Sequence, residues 1–141
     1  MEQKGEFKRI DKSEKKMYGP RGLLVCGYQE EERILFLDFI NKINMSDVPV
    51  IFAVNEDVEK NLGDLFTHKH KSGSTGDSEL PRSVIMSGLS QSELHGLMGA
   101  YREAGFVSQI WASLTPTSET WTLKALLIEL LAEARAMQKN K

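Results

Sequence analysis

The sequence predicts an α/β fold: a tandem β-α-β-α repeat forming one four-stranded, mainly parallel sheet with helices packed on it, its halves related by a pseudo-twofold axis. Three observations predict it. Short apolar runs and amphipathic stretches alternate as strand, helix, strand, helix, twice over. The stretch Gly19 to Phe36 is a degraded copy of Leu80 to Leu97, since aligning Pro20 with Pro81 also aligns Arg21 with Arg82, Gly27 with Gly88 and Glu32 with Glu93. Between the copies, His68 to Glu79 is small, polar and charged, a composition expected of a mobile linker. The expected organisation is a charged arm over 1–18, a first repeat over 19–67, the linker over 68–79 and a second repeat over 80–141, with 19–141 as one globular domain.

Leu23-Leu24-Val25-Cys26, closed by Gly27, is a continuous apolar run suited to a strand buried on both faces. Ile34, Leu35, Leu37, Phe39, Ile40 and Ile43 then recur with mostly helical spacing behind Glu30, Glu31 and Glu32, whose charges favour a helix N-terminus. Val48 to Val54 is a β-branched and aromatic strand, with Pro49 tolerable only at its start. A short helix follows from about Glu56 to Phe66. The second half repeats the order with strand Ser83 to Ser87, helix Gln91 to Ala104, strand Ser108 to Leu114 and a final helix from Ser118 to Gln138. Leu62 and Leu65 align with Leu123 and Leu126 at the same offset as Pro20 and Pro81, so a small slip is expected near the second strand of each half. Within each strand-helix-strand unit the two strands should be parallel.

At 141 residues and 40% hydrophobic content the chain can bury its own core. Its 18 basic and 20 acidic residues give a formal charge of -2, which supplies no general attraction to nucleic acid or an anionic membrane. Cys26 is the single cysteine, so an internal disulfide and a cysteine zinc site are excluded. With a charged N-terminus and no long apolar run, the expected location is cytoplasmic.

Candidate chemistry sits where strands end and helices begin. Ser87, Gly88 and Ser90 occupy that junction in the second half, and Ser90 with Glu93 has the spacing of a capping box. Cys26 stands where the copy has Ser87, either as a small buried side chain or as a thiol near a helix N-terminus. Arg21 and Arg82 follow Pro at strand entrances, and their recurrence suggests a structural ion pair or hydrogen bonds to loop carbonyls, with ligand binding the lesser alternative. Tyr101, Phe106, Trp111 and Trp121 are expected to cluster. His68 and His70 lack a third ligand, and no metal, cofactor or catalytic motif is predicted.

The run Pro81-Arg-Ser-Val-Ile-Met-Ser-Gly88, with Glu93-Leu-His, Tyr101-Arg-Glu-Ala-Gly105 and Trp111 through Thr115-Pro-Thr-Ser118 to Trp121, resembles an uncharacterised bacterial family, domain of unknown function 3783. The resemblance covers the second half and reaches the first only as its decayed copy. The family implies no activity. If its signature marks a site, the residues here are Arg82, Ser87, Gly88, Glu93, His95, Trp111, Thr115 and Trp121. The expected function is a non-catalytic regulatory or partner-binding domain, with a protein partner or a homodimer through the last helix. The alternative is an enzyme or sensor of a small anionic ligand held by Ser87, Gly88, Ser90, His95, Trp111 and Thr115.

Overall fold

The computed structural model describes residues 15–73 and 75–139. The expected arm lies outside the described residues as far as residue 14. The strands are β1 (Gly22–Cys26), β2 (Val50–Ala53), β3 (Ser83–Ser87) and β4 (Ile110–Ser113). The helices are α1 (Glu30–Lys42), α2 (Leu62–Leu65), α3 (Gln91–Glu103) and α4 (Leu123–Lys139), with single 3-10 turns at Asn55–Glu59 and Ser118–Thr120. One sheet forms in the order β2-β1-β3-β4.

The sheet is mixed: two of its three strand pairings are parallel, as expected, and the central one is antiparallel. β1 is parallel to β2, and β3 to β4, as the crossover rule requires. The central pair β1–β3 is antiparallel, with Leu24 opposite Ile85. The crossover rule governs strands within one β-α-β unit and is silent on how two units meet, so the joint could not follow from it. The parallel registers match: Leu23 stands beside Val50 and Val84 beside Trp111, so the slip expected near the second strands is absent.

Two cores cover the sheet. On one face α1 and α3 pack Phe36, Phe39, Ile40, Leu97 and Tyr101 against Leu23, Val25, Val84 and Met86. On the other, α2 and α4 pack Leu62, Leu65, Leu123, Leu126 and Leu127 against Leu24, Cys26, Ile51 and Ile85. β1 and β3 are buried at every position, as continuous apolar runs sandwiched between helical layers should be. Along α4 the apolar stripe leaves the core after Leu130, and Met137 is exposed. Residues 68–79, expected to be mobile, carry specific bonds along the outer side of β2: Lys71 N–H reaches Val50 O, Phe52 N–H reaches Ser72 O and the Val50 amide donates to His70 Nδ1. Arg33, only 3% exposed, donates to the carbonyls of Gly73 and Gly76 and so anchors this segment to α1. Backbone pairing of this kind leaves no mark in side-chain composition.

The strand-to-helix turns need glycine. Gly27 and Gly88 have φ of +80° and +67°, and a Cβ on Gly88 would lie 2.6 Å from Gly19 O and 2.7 Å from the Arg21 amide. The chain entering β1 therefore lies directly against the chain leaving β3. Gly88→Ala should lower the unfolding free energy by about 2 kcal/mol or more in urea titration. Gly96→Ala, in the exposed middle of α3 with nothing within 4 Å of its Cβ position, should raise it by up to about 1 kcal/mol.

Candidate functional site

The antiparallel joint places the start of each half beside the end of the other. Arg21 lies opposite the helix of its own half but next to the N-terminus of α3, where Nη1 donates to Glu93 Oε1 at 2.8 Å and Nη2 to Glu93 Oε2. Its Nε donates to Asp47 at 2.9 Å. Arg82 lies in the same way beside α1 and donates from Nη1 to Glu32 at 2.9 Å. The structural ion pairs expected of these arginines are thus present, and each joins one half to the other. Both glutamates also close their own caps: Glu93 accepts from the Ser90 amide and Glu32 from the Gln29 amide, each at 2.9 Å.

Around Arg82 a polar and aromatic cluster has formed. Its guanidinium carbon lies 3.9 Å from the centre of the Tyr28 ring, and Nη2 is 3.3 Å from the Tyr101 hydroxyl. Tyr28 donates to Gln109 Oε1 at 2.7 Å, and Tyr101 donates to Val107 O. Burial raises the Tyr28 pKa, so its hydroxyl stays a donor at neutral pH. Tyr101 stacks on Phe106 with centroids 5.0 Å apart and meets Trp111 edge-on at 5.2 Å. Next to these rings lies a cleft of about 210 Å³ lined by Met98, Tyr101, Arg102, Phe106, Ser108, Gln109 and Trp111. Two buried donors in this cluster, Arg82 Nε and Gln109 Nε2, have no hydrogen-bond partner among the described residues.

The six residues singled out from the sequence do not converge on one point. Trp111 lies at the cleft. Gly88, Ser87 and Ser90 lie at the other end of the β1–β3 joint, under residues 16–19: the Gly88 amide donates to Tyr18 O, Met17 donates to Leu89 O, and a Cβ on Gly19 would collide with Ser87 Oγ. Ser90 Oγ accepts from the Glu93 amide as a helix cap. His95 is exposed on α3, and Thr115 closes the turn after β4 through its bonds with Ser118. The expected aromatic cluster forms without Trp121, which packs in the other core because α4 lies on the opposite face. Cys26 is fully buried, and desolvation raises its thiol to about 12, so it is a packed side chain and not a thiolate at neutral pH. Sequence reasoning reaches Tyr28 only as a strand-end position, in Cys26-Gly27-Tyr28, and does not reach Gln109 or Ser108. Their signal was available at the offset of 61 residues, where Leu89, Val48 and Asp47 stand in the other half.

Residues 82–137 match the family model Domain of unknown function (DUF3783), in agreement with the resemblance read from the sequence. No curated protein and no solved structure matches the chain. The matched segment opens at Arg82 and takes in β3, α3, β4 and most of α4, so both Trp111 and the rim of the cleft fall within it. Among the described residues, no helix is long and apolar enough to cross a membrane, and no group of three or more His, Cys, Asp or Glu is placed to hold a metal ion.

The Arg21 pair makes stability depend on acid. The hydrogen bonds from Arg21 hold Glu93 well below the usual carboxylate range, at about 2. An unfolded glutamate titrates near about 4.3, so the carboxylate stabilises the fold fully above that value and progressively less as pH falls towards 2. Glu93→Gln should therefore lower the urea midpoint at pH 7, and the gap from wild type should shrink steadily between about pH 4.5 and pH 2.

Proposed function

We propose that this protein is a cytoplasmic, non-catalytic regulatory domain that binds a small ligand, built from two repeats about a pseudo-twofold axis, and that its binding end is the one where the symmetry has been lost. Several features support the repeat. An offset of 61 carries β1 onto β3, α1 onto α3, and the pair Leu23–Val50 onto Val84–Trp111. It exchanges the Arg21–Glu93 pair with Arg82–Glu32, and the bond from Leu62 N to Trp121 O with that from Leu123 N to Lys60 O. Leu24–Ile85 and Asn61–Thr122 each pair with their own equivalents, so both would lie on the axis.

One observation carries the functional half of the reading. At the Arg82 end stand Tyr28, Tyr101, Gln109 and Trp111; their counterparts at the Arg21 end are Leu89, Ile40, Val48 and Val50, all buried and apolar. The fold packs that position with aliphatic side chains at one end, so stability alone does not demand the hydroxyls and amide at the other. A polar cluster with two unpaired donors beside an aromatic cleft is the arrangement expected of a ligand site. The burial of Cys26 and the locking of Glu93 and Glu32 by arginines and caps leave these groups unsuited to acid-base or nucleophilic work, which favours binding over catalysis.

A second reading keeps Ser87, Gly88 and Ser90 as the site for a small anion, favoured by Ser87 Oγ, a buried hydroxyl without a partner among the described residues. One experiment separates the two: a thermal-shift screen with metabolite mixtures, followed by amide NMR on the hits. The first reading expects a raised melting temperature, shifts centred on Tyr28, Tyr101, Gln109 and Trp111, and recovery of the compound unchanged. Shifts confined to Gly88 through Ser92 would replace it with the second, and turnover of the compound would overturn the non-catalytic claim.

A further inference from the structure

The two arginines differ in one contact, and the difference identifies a ligand class. At the Arg21 end, Nε is taken by the carboxylate of Asp47 at 2.9 Å. The position 61 residues after Asp47 is Ser108, which lines the cleft, and Arg82 Nε is left buried without an acceptor among the described residues. One half thus supplies a carboxylate from its own chain, and the other has replaced it with a short neutral side chain at the wall of a cleft.

We infer that the cleft binds a small single-ring carboxylic acid, whose carboxylate takes the acceptor position at Arg82 that Asp47 takes at Arg21. This inference rests on the two-repeat reading above. The requirement for an acceptor comes from the chemistry of the unpaired groups, because Arg82 Nε and Gln109 Nε2 are both donors and neither can be satisfied by another donor. The preference for a negative charge comes from Arg82 itself and from Arg102 at the rim, since hydrogen bonds between ionised partners are the stronger ones. The preference for a ring comes from the walls, where the partly exposed rings of Phe106 and Trp111 offer aromatic surface on which a planar group stacks. The volume has room for a ring: an apolar cavity of about 150 Å³ accepts benzene, so about 210 Å³ holds one ring with its carboxylate. Seating the carboxylate requires Ser108 and Gln109 to turn at the mouth, because both unpaired nitrogens lie beneath the surface.

The test is an amide NMR titration of the full chain with sodium benzoate, with acetate and benzyl alcohol as the charge-only and ring-only probes. Benzoate should move Ser108, Gln109 and Trp111 saturably, and the other two probes should bind at least tenfold more weakly. Ser108→Asp, at an exposed position, places the missing carboxylate in the chain; it should weaken benzoate at least tenfold while leaving the melting temperature equal or higher. Ser108→Asn, similar in size to aspartate but uncharged, should bind benzoate within about threefold of wild type. Equal binding of benzoate by wild type and Ser108→Asp would overturn the inference, as would acetate binding as well as benzoate or the absence of any saturable shift. If benzoate fails but a compound from the metabolite screen moves the same amides, the ligand class is wrong and the binding end stands; if neither moves them, both fall.

Discussion

The antiparallel contact between β1 and β3 is the constraint from which the rest of this structure follows. Gly27 and Gly88 let each chain leave its strand through a left-handed turn, close against the backbone entering the other strand. That approach brings Arg21 to the cap of α3 and Arg82 to the cap of α1. Each glutamate consequently serves two partners, the amide at the start of its own helix and the arginine of the other half. Neither half has these contacts by itself, and a two-stranded sheet is too small to bury its faces alone. The joint therefore holds helix ends, strand order and the relation of the halves in one set of interactions.

Within this frame the two ends of the joint have different surroundings. One is closed: each of the three Arg21 nitrogens donates to Glu93 or Asp47, and residues 16–19 cover the end of β3. The other holds Arg82 against Tyr28 and Tyr101, with Gln109 and Trp111 at a cleft. Proline, arginine, glycine and glutamate recur at both and belong to the joint; the tyrosines, glutamine and tryptophan stand at one end only, with aliphatic side chains opposite.

Much of this architecture was legible in the sequence because its signals are local. The apolar run Leu23 to Cys26 and the alternating strand-helix order placed the four strands and the helices α1, α3 and α4, whereas the short helix expected from about Glu56 to Phe66 is a 3-10 turn followed by the four-residue α2; the alignment of Arg21 with Arg82 and Glu32 with Glu93 found the residues of the joint. What local pattern cannot show is which element lies beside which. The antiparallel meeting of β1 and β3 depends on contacts between residues about 60 positions apart, so the partner exchange between arginines and glutamates stayed hidden. The anchoring of residues 71–73 beside β2 stayed hidden for a related reason, since it uses main-chain groups and the buried Arg33 rather than any apolar pattern. For the candidate site, attention to what the second half has and the first lacks led to Ser87, Ser90 and His95, which the fold does not bring together with Trp111. Tyr28 belongs to the first half and reaches Arg82 and Gln109 only across the antiparallel joint, a contact that no local pattern shows.

The central claim is that each half is held by the other through the exchanged arginine–glutamate pairs. Double-mutant cycles with Arg21→Met and Glu93→Gln, and with Arg82→Met and Glu32→Gln, measure this directly, because the cycle cancels what each glutamate gives to its own helix cap. The account predicts a favourable coupling of about 0.5 kcal/mol or more in both cycles, as expected for partly buried, hydrogen-bonded charges. Additive effects in both cycles, with coupling indistinguishable from zero, would contradict it.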